Sequence, residues 1–176
     1  MTTIRDLQEL SKMLQFSKTA TALLHHLSKA KEDQPAYLDF LYDVFAYERK
    51  EREFAAYERR MKAASFPYMR TIDDFSLEEQ KSLSKHQFNQ LISLDWVDQS
   101  YNLVLLGPSG IGKTHLSIGL GTKAIKEGFK VMFVSMGEMI RLLKTQEITV
   151  KSANKIKRMK DAHSRASANL FWSLAI

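Results

Sequence analysis

The residues best equipped for chemistry form one run: Gly107-Pro108-Ser109-Gly110-Ile111-Gly112-Lys113-Thr114. They fill every fixed position of G-x-x-x-x-G-K-[ST], the pattern of a phosphate-binding loop. Glycines at 107, 110 and 112 let the backbone curl so that its N–H groups face phosphate oxygens. A helix starting directly behind such a loop adds a dipole that favours an anion. Lys113 has the reach for β- and γ-phosphates, and the Thr114 hydroxyl suits Mg²⁺. The expected cofactors are therefore ATP and Mg²⁺, with residues 107–114 around the nucleotide and Thr114 on the metal. The plain alternative is a Gly-rich turn that happens to precede a lysine, and the flanking sequence argues against it.

Those flanks must place the loop. Tyr101-Asn102-Leu103-Val104-Leu105-Leu106 reads as a short buried strand entering it, and His115-Leu116-Ser117-Ile118-Gly119-Leu120 as a helix leaving it. Gly128 suits the end of that helix. Lys130-Val131-Met132-Phe133-Val134-Ser135 reads as a second buried strand, and a helix resumes from Gly137 with Met139, Ile140, Leu142 and Leu143. Strand, helix, strand, helix predicts the opening of a parallel α/β sheet with right-handed crossovers.

Upstream, residues 1 to about 65 read as helical. Ile4, Leu7, Leu10 and Leu14 recur at helical spacing on one face. A second helix is expected over Thr19 to Lys29 with Leu23, Leu24 and Leu27 inward. Pro35 opens a third at its first turn, with an inner stripe of Leu38, Leu41, Val44 and Phe45, and Pro67 ends the run. The aromatics Tyr37, Phe40, Tyr42, Phe45, Tyr47, Phe54 and Tyr57 could stack on bases, but their spacing favours helix packing. Ser76-Leu77-Glu78-Glu79 and Ser84-Lys85-His86-Gln87 have capping-box form. The second leads into a helix with Phe88, Leu91, Ile92 and Trp96.

The 176 residues include no cysteine, which excludes disulfides and thiolate metal sites and suits a reducing cytoplasm. The N-terminus is mixed in charge and has no apolar core, so no signal peptide is expected. No apolar stretch is long enough to cross a bilayer. The histidines at 25, 26, 86, 115 and 163 lack metal-ligand spacing. The formal net charge is +6, and from Lys151 onward Lys151, Lys155, Lys157, Arg158, Lys160 and Arg165 face a single acid, Asp161. That run is a candidate DNA-binding segment, chiefly Lys151, Lys155, Lys157, Arg158 and Lys160. A solvated helix face is the competing reading.

A phosphate-loop ATPase also needs an acidic residue at the end of an apolar strand to hold the Mg²⁺ shell. No run of four apolar residues followed by Asp or Glu occurs after the second strand. Asp161 follows Lys-Ile-Lys-Arg-Met-Lys, and Asp73 and Asp74 precede the loop, which makes them poor substitutes by topology. The residues thus favour nucleotide binding over efficient hydrolysis.

The chain resembles the IstB-like ATP-binding proteins, transposition helpers of bacterial insertion sequences related to DnaC helicase loaders within the AAA+ group. The resemblance covers almost the whole chain. It runs through Leu38-Asp39-Phe40-Leu41, Ala64-Ser65-Phe66-Pro67, Ile72-Asp73-Asp74-Phe75 and Leu94-Asp95-Trp96. It is most specific from Asn102-Leu103-Val104-Leu105-Leu106-Gly107 into Gly112-Lys113-Thr114-His115-Leu116. The resemblance implies a cytoplasmic ATP-binding protein that oligomerises on duplex DNA and helps a transposase engage its target, with no membrane partner. Its fold would be an AAA+-like P-loop α/β parallel sheet, here incomplete, preceded by an all-helical N-terminal region. The expected division is residues 1–70 for the helical region and 71–176 for the ATPase core.

One departure is sharp. Lys160-Asp161-Ala162 runs directly into His163-Ser164-Arg165-Ala166-Ser167-Ala168-Asn169-Leu170-Phe171-Trp172, where the family places an acidic strand between. The expectation is an internal deletion and an early stop, without the second acidic motif, sensor or arginine finger, and with no catalytic residue assignable. Two other functions remain open: a non-enzymatic fragment that docks on transposase or full-length helper, and a DnaC-like helicase loader. A small-molecule kinase fits poorly, because its loop would lie nearer the start of the chain.

Overall fold

The structure is a computed structural model describing residues 2–77, 83–99, 101 and 103–163. The chain divides into two compact units, Met1–Ala56 and Tyr57–Ile176. Among the described residues, no helix is long and apolar enough to cross a membrane.

The first unit holds α1 (Ile4–Met13), α2 (Ser17–Asp33) and most of α3 (Tyr37–Ala64). Thr3 and Asp6 start α1 as a capping box: Asp6 N–H donates to Thr3 Oγ1 at 3.2 Å, and Thr3 N–H to Asp6 Oδ2 at 2.7 Å. Gln15 takes a left-handed conformation at φ 62° and turns the chain into α2, which lies along α1. Gln34, left-handed at φ 46°, closes α2 just before Pro35.

The expected helices therefore form, but their apolar stripes are less covered than their spacing predicts. Ala20 and Leu23 are buried, whereas Leu24 stays 55% exposed, Leu10 51%, Leu38 79% and Phe45 56%. About 56 residues of helix carry too little interior to bury every stripe they present. Some of the aromatic run does pack: Phe45 sits 5.8 Å from the Phe16 ring, and Tyr47 meets His26 edge-on at 4.7 Å.

The second unit is built around α6 (Lys113–Lys126), where Leu116 to Thr122, Ala124 and Ile125 are buried. Leu94, Val97, Ala64 and Val131 join Leu116, Leu120, Ala124 and Ile125 in its core. Ser84 and Gln87 form the expected capping box of α4 (Lys85–Ser93). The predicted single helix through Trp96 is broken at Leu94, which is left-handed at φ 62°, so Trp96 lies in the short α5 (Asp95–Asp98). Trp96 Nε1 donates to the Leu91 carbonyl at 3.0 Å and holds the two together. Ser135 caps α7 (Met136–Thr145), and α8 (Val150–His163) packs on it through Leu142, Ile156, Met159 and Val134. Glu79 of the Ser76 box and the stretch from Ser164, where the deletion was expected to show, lie outside the described residues.

The predicted parallel sheet is not seen. Among the described residues there is no strand; 103–106 and 130–135 carry no ladder. In 103–106 the side chains still alternate as a strand's would. Leu103 and Leu105 pack on the core, while Val104 is 71% and Leu106 78% exposed. A strand also needs a partner at hydrogen-bond distance, and the two segments do not supply one to each other. The Phe133 N–H instead donates to the Ala64 carbonyl at the end of α3, at 2.7 Å.

Candidate functional site

The loop joins segment 103–106 to α6. Gly107 (φ 151°), Gly110 (φ 85°) and Gly112 (φ 83°) all have backbones that side-chain-bearing residues rarely adopt. At Gly107 a Cβ would also run into Ile111 Cδ1, whereas nothing lies within 4 Å of one built at Gly110. The loop thus needs its glycines for conformation, since the Ile111 methyl beside Gly107 lies at the end of a side chain that can turn away.

The start of α6 differs from the starts of α1, α4 and α7. Thr3, Ser84 and Ser135 each accept a backbone N–H in those helices. At α6 the cap is Gly112, and no side chain takes that role. Donors of the first turn are left for an acceptor from elsewhere, which suits an anion. Lys113 curls back over the loop, its Nζ donating to the Gly107 carbonyl at 2.7 Å and the Pro108 carbonyl at 2.6 Å. Pro108, Ser109 and Gly110 are exposed at the tip; Ile111, Gly112, Lys113 and Thr114 are half-buried. These residues fit a nucleoside triphosphate: a curved backbone, uncapped helix donors and a cation with its stem anchored at the loop's base.

A second segment braces this helix, and residue types gave little warning of it. Phe66 to Ile72 crosses α6 where the helix carries Gly119 and Gly121. A Cβ at Gly119 would lie 3.2 Å from the Ile72 backbone, and one at Gly121 would lie 2.8 Å from the Phe66 ring. Thr122 Oγ1 donates to the Arg70 carbonyl at 3.0 Å. Nearer the loop, Phe75 lies between the rings of Phe88 (5.7 Å, stacked) and His115 (5.5 Å, edge-on). Asp74 accepts from both the N–H and the hydroxyl of Thr71 at 2.9 Å. Those bonds hold its carboxyl below the usual range and tie up one of its oxygens. The pair of glycines two residues apart in a helix was the one sequence signal that could have revealed the bracing.

Among the described residues, no group of three or more His, Asp or Glu side chains is arranged to hold a metal ion. A cavity of about 570 Å³ is lined by Leu91, Trp96, Tyr101, Leu103 and Leu105 among others, and by none of residues 107–114.

The basic run does not form one face. Ser152, Ile156 and Met159 are the buried stripe of α8. Lys155 flanks it and pairs with Glu138 of α7, Nζ to Oε1 at 2.5 Å. Lys151, Lys157 and Arg158 are exposed, with Lys157 on the opposite flank from Lys151 and Arg158. Lys160 also lies in α8.

Residues 9–163 match the family described as IstB-like ATP binding protein. A protein named for ATP binding in an IS21-like insertion sequence of Bacteroides fragilis is 31% identical over 169 residues, covering 95% of this chain and 64% of that protein. A counterpart from insertion sequence IS21 of Pseudomonas aeruginosa is 33% identical over 132 residues, 75% of this chain and 48% of its own length. One from IS5376 of Geobacillus stearothermophilus is 31% identical over 122 residues, covering 69% and 49%. The chain therefore spans about half to two thirds of the length of these relatives.

Proposed function

The chain belongs to the IstB-like ATP-binding protein family, and from that premise we propose that it binds Mg-ATP through Gly107–Thr114 and serves a transposase acting on DNA. The carrying observation is the uncapped start of α6 behind three glycines of positive φ, with the Lys113 ammonium folded over the loop. Backbone N–H groups of 109–114 would take the phosphate oxygens, Lys113 would exchange its two carbonyls for them, and Thr114 would offer its hydroxyl to Mg²⁺. The metal supplies charge neutralisation between the phosphates. An α/β arrangement around this loop is what the family implies.

After Glu147 the sequence holds one acid, Asp161, set in a basic helix, so no residue is assigned to polarise a water. Relatives named for insertion sequences support transposase and duplex DNA as partners, with self-association on DNA as part of the same reading.

Thermal unfolding with and without Mg-ATP tests the binding step. A ligand selective for the folded state, at a hundred times its Kd, stabilises by about 2.7 kcal/mol. For a chain of this size that is roughly 5–10 °C in Tm. The shift should vanish in Lys113→Ala, and an equal shift in that variant would remove the loop from the account.

A further inference from the structure

In the first unit, α1 and α2 pack along each other, and α3 joins them in one compact body. Polar and aromatic side chains join the α1–α2 hairpin to α3 between Phe45 and Arg52. The Thr19 N–H and hydroxyl both donate to Glu48 Oε2, at 2.6 and 2.9 Å. Arg52 Nε donates to Glu48 Oε1 at 2.8 Å, and the same guanidinium reaches the Gln15 carbonyl and lies 5.4 Å over the Phe16 ring. Phe16 and Phe45 at 5.8 Å, with His26 and Tyr47 at 4.7 Å, complete the set. Glu48 is only 2% exposed, a charge held where it survives only while these partners stay in place. On the N-terminal side of this clasp α3 leaves Leu38 and Leu41 open, 79% and 49% exposed. The link from α2 to α3 is Gln34-Pro35-Ala36, with Gln34 already left-handed.

We propose that the α1–α2 hairpin is a hinged cover on α3, latched at Glu48 and Arg52 and pivoting at Gln34–Ala36. Closed, it shields Ala20, Leu23 and the Phe45–Arg52 stretch. Open, it extends the bare apolar stripe of Leu38 and Leu41 by two further turns. Bonds centred on one carboxylate make or break together, so the latch has two states rather than a continuum. The charged groups around it set its response to acid. Glu48 faces Arg52 on its own helix and Thr19 from α2, and His26 stands near His25, Lys29 and Asp43. The closed state favours ionised Glu48 and neutral His26, so acid loosens it at both ends.

The chain has no cysteine, so Met13→Cys and Lys50→Cys, both at exposed positions, give two unique spin-label sites across the latch. Pulsed distance measurement on the full chain near pH 8 should show one dominant separation. Glu48→Gln should add a longer one and raise the open-to-closed ratio by about tenfold or more. Thr19→Val, which keeps the N–H bond, should give a smaller rise, and the unsubstituted latch should open progressively toward pH 5. Helix content by circular dichroism should hold through all of these. Unchanged separations in both variants would overturn the proposal. So would a loss of helix content in step with the longer separation, because the contact would then belong to the fold of the unit and not to a latch.

Discussion

Glu48 does for α2 what a serine does for α4. It reaches in from another helix to accept the third N–H of α2, that of Thr19, while Phe16 at the cap position offers nothing. Burial alone pushes its carboxyl up, but the Thr19 N–H, the Arg52 guanidinium and the Thr19 hydroxyl together hold it below its usual range. A carboxyl with a depressed folded-state pKa contributes stability that is complete above its unfolded value near 4.5 and lost as pH falls through the folded value. His26 works in the same direction but higher. Burial and the charge of His25 lower its pKa, so protonation opposes the folded unit as pH falls below the ordinary value near 6.5. Its Nε2 is buried without a partner. The urea midpoint of the helical unit, followed by circular dichroism, should therefore begin to fall below about pH 6.5 and fall more steeply below about pH 4.5. His26→Gln should remove the first phase and leave the second. A single phase unchanged by that substitution would contradict the assignment. None of this was legible beforehand. The sequence shows Glu48 within the charged run Glu48-Arg49-Lys50-Glu51-Arg52-Glu53, and composition cannot tell the one buried carboxylate from its exposed neighbours.

At the scale of elements, local signals carried far where partners were local. Ser84-x-x-Gln87 forms the box its spacing predicts, and Gly107, Gly110 and Gly112 each take the positive φ a phosphate loop demands. The segment read as a buried strand is buried on one side only, with Leu103 and Leu105 on the core and Val104 and Leu106 exposed. What failed was the ladder, because a strand's partner is not written in the strand. A run that is apolar throughout says neither which side faces inward nor what lies alongside. Leu94 is the reverse case, a leucine forced to φ 62° by the turn between α4 and α5, which no propensity scale would suggest. The bracing of α6 makes a sharp prediction. Ala in place of Gly within a helix normally gains about 0.5–1 kcal/mol. At Gly119 the new methyl would press on the Ile72 backbone at 3.2 Å, which has little room to give. Gly119→Ala should therefore destabilise by about 1–3 kcal/mol, read as a lower denaturant midpoint with unchanged m-value. Stabilisation instead would mean that segment 66–72 yields easily.

Net charge is a property of the whole molecule and not of any one element. The net charge of +6 is unevenly placed, yet α8 does not present its basic residues as one front. If α8 touches duplex DNA, Lys151, Lys157 and Arg158 are available and Lys155 is committed to Glu138. Neutralising the three exposed residues together should lower the salt slope of DNA binding by up to about 2.7, at roughly 0.9 per phosphate contact. Lys155→Gln should leave that slope alone and weaken the α7–α8 packing. Equal loss from either change would mean that the Glu138 pair opens on DNA. The sequence located the basic run, but it could not show that one of its members was already spoken for, since Glu138 lies seventeen residues away. The glycine at the start of α6 has a comparable reach. Where three other helices carry a threonine or serine to finish their first turn, this one carries a hydrogen. Its capping partner is left to the surroundings, so the completeness of the fold at that point tracks what the solution contains as much as what the gene encodes.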